Sequence, residues 1–478
     1  MRSLKSKVLH SAKWSALAEL SGRLISPIIF LVLARLLTPA DYGVAAAAMI
    51  VLSFAQTFWD AGMARALVQR QTDIDEASNV VFWTNLGMAV VVYVVLFFCA
   101  DFLAVVLFKD PRVANVIRVQ AIGFFPAATA SVHTALCQKQ FHFKKLFWVR
   151  LFTTGAPGLA SIPLALLGWG YWALVAGALV GSVASALTLW VMSPWKPKCN
   201  YSTGIAKQMV RFGLWVSGSS LLAWCYLWLD SLLVGLYLDS TSLGLYRTGS
   251  TFVTTIFGLV LSPLLPVTYS LFSHIQSDAK VLRDTLLKTT KIVFLISAPL
   301  AAGLFATRVP LAEVVFGLKW SGIAPVIGWY ALMSGSAWLV GTNSEAYRAS
   351  GRPHVEATIM SLNLFIYIPA YIIALRYDLN TFVKVRFGVC IAAMVIHFVY
   401  SKRLFDLGPV LILKEVFWTL IGGILIALTP YFAPRIETNV YAQLITLAGI
   451  GGVIFVFVSI LPQLNWIVCE VKRLHRKS

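Results

Sequence analysis

The chain has 478 residues, of which 59% are hydrophobic and only 12% charged, and its mean hydropathy is +0.79. That balance excludes a soluble globular domain or a disordered chain and describes a polytopic integral membrane protein. The formal net charge of +19 would suggest nucleic acid in a soluble protein, so its sign has to be read by position along the chain.

Apolar runs long enough for a helix to cross a hydrocarbon core of about 30 Å recur from end to end. Fourteen spans are predicted, at 14–37, 42–64, 80–107, 113–137, 148–167, 171–192, 208–238, 243–272, 288–307, 323–347, 354–375, 381–401, 413–433 and 440–461. These lengths, without sustained in-out alternation, predict helices rather than barrel strands. The first span follows four basic residues but is too long for a cleavable apolar region and contains Glu19 and Arg23, so a retained first helix is expected.

Several spans carry polar residues at helical spacing. The first has Ser11, Ser15, Glu19, Arg23 and Ser26; the second has Ser53, Gln56, Thr57 and Asp60. The eighth has Arg247, Ser250, Thr251 and Thr254, and the tenth has Ser334, Thr342, Glu345 and Arg348. Recurrence every three or four residues puts each set on one face, giving four candidate cavity walls. An ionised group at the bilayer centre costs at least ~2.5–3.5 kcal/mol, so such charges face protein or water. Glu19 and Arg23, four apart, would also suit a mutual ion pair; Arg118, Arg150 and Arg348, near span ends, would suit snorkelling. Pro27, Pro126, Pro157, Pro263, Pro266 and Pro299 predict kinks.

The strongest break is Ser193-Pro194-Trp195-Lys196-Pro197-Lys198-Cys199, between the sixth and seventh spans. On either side lies weak self-similarity. Leu37-Thr38-Pro39-Ala40-Asp41-Tyr42-Gly43 aligns with Leu238-Asp239-Ser240-Thr241-Ser242-Leu243-Gly244 at an offset of 201. The organisation expected is an all-α membrane protein with two pseudo-symmetric six-helix lobes, 1–192 and 208–403, a cytoplasmic linker at 193–207, and a final helix pair with a basic tail at 404–478.

With both termini cytoplasmic, 26 of the 39 basic residues fall in cytoplasmic segments, 9 on the opposite side and the rest within spans. Most of the positive charge is therefore topogenic, and nucleic acid is not needed to explain it. Six scattered cysteines without a paired motif, and histidines without ligand spacing, predict no metal site. No Walker sequence is present, and the external loops are too short for a polymerase.

Several stretches, in order, resemble bacterial polysaccharide exporters of the multidrug/oligosaccharidyl-lipid/polysaccharide superfamily. They are Ala66-Leu67-Val68-Gln69-Arg70-Gln71 through Val81-Phe82-Trp83-Thr84-Asn85-Leu86-Gly87, Phe141-His142-Phe143-Lys144-Lys145, Leu167-Gly168-Trp169-Gly170-Tyr171-Trp172, Asp230-Ser231-Leu232-Leu233-Val234-Gly235 and Lys319-Trp320. The resemblance implies a non-enzymatic flippase of the bacterial inner membrane that moves undecaprenyl-diphosphate-linked oligosaccharide repeat units by alternating access. It implies membrane lipids, a polysaccharide polymerase and a chain-length regulator as partners, and no cofactor beyond a proton or sodium gradient. A diphosphate suits the paired donors of arginine, so Arg23 and Arg247 are the expected grips across the two lobes, with Arg65, Arg150 and Arg348 at an entry or gate. Glu19, Asp60 and Glu345 are the expected ion-responsive carboxylates, and Trp215, Trp224, Trp228 and Trp338 would stack on sugar rings or simply pack. Tyr226 and Trp228 replace the asparagines often found before the Asp of the seventh-helix signature. A drug antiporter of the same superfamily and a non-transporting synthase component are the alternatives.

Overall fold

The computed structural model describes residues 2–59, 62–140, 142–432, 439–466 and 468, with side chains except at 2–13, 15–16, 18–20, 59, 143, 211–217 and 219. Asp60 lies outside the described residues, as do the side chains of Glu19 and Trp215. All regular structure among the described residues is helical. The helices of the first half are α1 (Arg2–Leu36), α2 (Pro39–Trp59), α3 (Met63–Gln69), α4 (Ile74–Phe108), α5 (Arg112–Gln120), α6 (Phe124–Lys139), α7 (Phe143–Leu166), α8 (Tyr171–Met192) and α9 (Thr203–Tyr237). They are followed by α10 (Ser240–Leu261), α11 (Leu264–Ile275), α12 (Ala279–Phe316), α13 (Ile323–Ala349), α14 (Pro353–Ala374), α15 (Leu379–Phe405), α16 (Pro409–Phe432) and α17 (Val440–Ile454).

Eleven helical segments among the described residues are long and apolar enough to cross a membrane, or twelve if the bent pair α10 and α11 is one span. Fourteen is not reached, because α1 and α7 are not among them. In α7 the apolar run is diluted by Lys144, Lys145, Arg150 and two internal prolines.

Proline and glycine place the breaks. α10 and α11 meet at 50° beside Pro263, whereas Pro27, Pro157 and Pro299 lie inside continuous helices. The predicted second span is interrupted before α3, where Gly62 takes φ 66°, a left-handed conformation that favours glycine. Caps fix other corners. Thr38 and Asp41 form a reciprocal box at the start of α2, and the second Asp41 oxygen accepts from the Tyr171 amide at 3.0 Å, tying α2 to α8. Close packing relies on small residues: a Cβ on Gly177 or Gly181 of α8 would lie 2.9 Å or 2.8 Å from α7 side-chain atoms.

Contacts divide the chain into two compact units, 1–244 and 245–478. The predicted linker is not a free tether, because it is strapped along the first two turns of α4. Lys198 donates through Nζ to Asp75 and through its amide to Asn79, both at 2.8 Å, while Trp195 Nε1 donates to Asp75 at 3.0 Å. Trp83 Nε1 in turn donates to the Lys198 carbonyl at 2.9 Å. Beyond the strap, α9 packs on α2, α3 and α4, so the first unit runs past the sequence-based linker to Gly244.

In the second unit α12 packs against α13, α16 and α17, and α13 against α15. The final helices are keyed in by polar groups. Lys291 Nζ of α12 donates to Glu415 of α16 at 2.9 Å and lies 4.3 Å from the Trp466 ring centroid, and Gln463 donates to Thr419 at 3.1 Å. Pairing an ammonium with a carboxylate and an aromatic face removes the penalty of leaving either charge alone in apolar surroundings.

Candidate functional site

Three of the four residues of the predicted polar face of the second span, all but Asp60, line one cavity. Ser53, Gln56 and Thr57 line a cavity of about 360 Å³ together with Gly62, Arg65 of α3, and Ser220, Ala223, Trp224, Leu227 and Trp228 of α9. The α9 positions follow an i, i+3, i+4, i+7, i+8 rhythm, so one helix face supplies them all. Every lining residue lies in the first unit.

Each group has a definable task. Ser53 Oγ donates to the Ile50 carbonyl at 2.9 Å and accepts from Trp224 Nε1 at 2.9 Å, while Thr57 donates to Phe54 O at 2.7 Å. The Trp224 ring also meets Phe54 edge-on, with centroids 5.0 Å apart, so the indole is held on two sides. Arg65 is exposed, on the short helix that begins after Gly62. Hydroxyls, one amide, one guanidinium and two indoles in a recess of this size suit a ligand with hydroxylated rings and an anionic group.

The other predicted residues lie elsewhere. Arg23, half-buried on α1, is next to Gly22, and a Cβ on Gly22 would lie 3.2 Å from Arg150 Nε of α7. The structure thus brings Arg23 and Arg150 to one helix pair. Arg247, half-buried on α10, and Arg348 on α13 belong to the second unit. The Arg348 guanidinium makes a two-pronged pair with Glu356 of α14, at 2.8 Å and 3.1 Å, and lies 3.5 Å from buried Glu345. A phosphate there would have to displace Glu356.

Arg386 is the residue sequence reasoning missed, having been counted among the external charges. It lies inside α15, bonded to the Tyr246 hydroxyl, with its guanidinium carbon 5.0 Å from the Tyr330 ring centroid and 5.7 Å from that of Tyr371. Its position five residues into the predicted 381–401 span was the available signal. The aromatic cage comes from three other helices and has no local signature.

Residues 32–325 match the family described as polysaccharide biosynthesis protein. The chain is 25% identical over 466 residues to the succinoglycan biosynthesis transport protein ExoT of Rhizobium meliloti (strain 1021), covering 95% of this chain and 93% of that one. It is 24% identical to the lipopolysaccharide biosynthesis protein WzxC of Escherichia coli (strain K12), covering 78% and 76%. Among solved structures, its fold matches the lipid II flippase MurJ in an inward closed conformation with a TM-score of 0.79 at 15% identity, over 95% of this chain and all of that one.

Proposed function

Because this chain belongs to the polysaccharide biosynthesis protein family, we propose that it is a flippase that moves lipid-linked oligosaccharide repeat units across the bacterial inner membrane. The observation that carries this reading is a polar, aromatic cavity built on helices that otherwise have the length and hydropathy of membrane spans. Sugars and a diphosphate cannot enter hydrocarbon without losing their hydrogen bonds, whereas a polyprenyl tail can remain in it. A transporter of such a molecule therefore needs a wet path for the head only.

In this reading Trp224 and Trp228 offer flat apolar faces to sugar rings, Gln56 and the hydroxyls of Ser53, Thr57 and Ser220 bond their hydroxyl groups, and Arg65 meets the anionic portion. Arg23 and Arg150 extend the cationic surface on α1 and α7, and Arg247 of α10 is the candidate grip in the second unit. Both termini are cytoplasmic, and exported units pass to a polymerase and a chain-length regulator. A proton or sodium gradient drives the cycle, with Glu345 as the carboxylate to test among the described residues.

The decisive experiment replaces the cavity residues in the native host and measures surface polysaccharide alongside lipid-linked repeat units retained inside. Arg65→Ala and Trp224→Ala are each expected to lower export about tenfold, a change of roughly 1.4 kcal/mol, with repeat units accumulating. Arg65→Lys should fall between, because a point charge replaces a planar fork. Normal export by both alanine variants would overturn this assignment of the cavity.

A further inference from the structure

Arg65, the one cation among the described lining residues of the polar recess, sits on α3, a helix of only seven residues. A helix this short does not hold itself together, because the cost of nucleation is spread over too few hydrogen bonds. Its last four carbonyls also lack partners within the helix. The direction of Arg65 therefore depends on what holds α3 from outside. A slip of one residue would move the guanidinium along the axis by about 1.5 Å and around it by about 100°.

Both ends are held. At the start, Gly62 sets the turn at φ 66°, and its carbonyl accepts from the Ala66 amide at 3.0 Å. At the other end, the ammonium of Lys139, the last residue of α6, lies over the terminal carbonyls. Its Nζ donates to Leu67 O at 3.5 Å, to Val68 O at 3.3 Å and to Arg70 O. The Arg70 segment is itself fixed, since Arg70 Nε donates to Thr72 O at 3.0 Å and the guanidinium lies 3.5 Å from Asp73. The C-termini of α3 and α6 thus share one positive charge, which offsets the partial negative charge that each carries.

The two faces of α3 divide the remaining work. Met63 and Leu67, four apart and only 2% and 0% exposed, join a core with Ala77 and Val81 of α4 and Val132 and Leu136 of α6. Arg65 lies two positions from each, on the opposite face, and is exposed. Apolar packing is non-directional, whereas hydrogen bonds to particular carbonyls fix rotation and register.

We propose that Lys139 is a positioning residue for the cargo site: its ammonium clamps the end of α3 and so fixes where the Arg65 guanidinium meets the anionic part of the ligand. The proposal rests on the flippase reading and adds to it a residue that is not among those lining the recess. Lys139 acts through Arg65, so its effect on transport should vanish when Arg65 is gone.

The test combines Lys139→Met, which keeps an unbranched stem and removes the charge, with Arg65→Ala in the full-length chain. Surface polysaccharide is followed in the native host at matched protein levels. Lys139→Met is expected to lower export about tenfold, and Lys139→Arg to stay within about threefold of the starting chain. In the Arg65→Ala background the same methionine should lower export by less than about twofold further, whereas a lysine acting on the fold at large would lower it by the full factor again. The second readout is hydrogen exchange of the purified protein in detergent. Amides 66–70 should exchange about tenfold faster in Lys139→Met, with 80–100 of α4 unchanged. Additive losses, unchanged exchange, or normal export by Lys139→Met would each overturn the proposal. Should methionine prevent folding, Lys139→Gln, which retains one donor group, must show the same pattern at smaller size, and additive loss there overturns it as well. If Arg65→Ala itself exports normally, the reading of the recess fails instead, while the exchange rates still decide the clamp.

Discussion

Each unit has an open recess among apolar helices, and the two linings differ in kind. The first unit's recess has Ser53, Gln56, Thr57, Arg65 and Ser220 beside two tryptophans, whereas that of the second, about 290 Å³, is walled by residues such as Phe294, Ala302, Phe387, Leu420 and Ala427 with Ser336 its single hydroxyl. Similar volumes in similar helical surroundings therefore serve different chemistry. An apolar hollow of this size can stay dry, while a recess with clustered donors and acceptors holds water or a polar ligand.

Filling the hollows separates them most sharply. Ala223→Phe should lower polysaccharide export about tenfold or more by occupying the polar recess, while Ala427→Leu in the apolar one should leave export within about twofold. The reverse order would show that the apolar hollow carries the transport. Arg348→Ala tests the same contrast by charge. Its ties to Glu345 and Glu356 predict a loss of stability of about 1–3 kcal/mol, seen as earlier thermal unfolding in detergent, and coupled to Glu356→Ala in a double-mutant cycle. Arg65→Ala should leave unfolding unchanged and reduce export. Ser53→Ala, which removes one anchor of Trp224, should have a milder effect, about 1 kcal/mol in stability and less than tenfold in export.

The smallest expected effect is a pH dependence that does not appear. Burial acts to raise the Asp110 carboxyl, but hydrogen bonds from Arg112 and Ser240 and the Arg112 charge outweigh it, so its pKa lies below the ordinary carboxylate value. A carboxylate lowered in the folded state contributes stability above its unfolded pKa, near 4, and loses it only as pH falls through the folded value. The stability lost on Asp110→Asn, read by thermal unfolding in detergent, should therefore be flat between about pH 5 and 8. A change within that window would assign the tie to a different protonation.

The polar stripe of α2 was legible because Ser53, Gln56 and Thr57 repeat at helical spacing, and the corners at Gly43 and Gly244, each packed on the other's backbone, showed themselves through their alignment. Family membership was legible too, in motifs spread across the chain. What escaped was assembled at long range. The tyrosines around Arg386 lie on other helices, and only its place inside the predicted 381–401 span separated it from a loop charge. The same holds for the Pro/Lys-rich break: its composition marked a boundary, but Asp75, Asn79 and Trp83, more than a hundred residues upstream, pin it down.

That strap dictates how hybrids of this transporter should be made. An exchange at residues 193–202 would join α4 of one parent to a foreign strap and leave the cavity with a mismatched α9. A crossover after Gly244 keeps the strap, the recess and both corner glycines of one ancestry, which makes 1–244 the cassette for testing whether cargo preference travels with the recess.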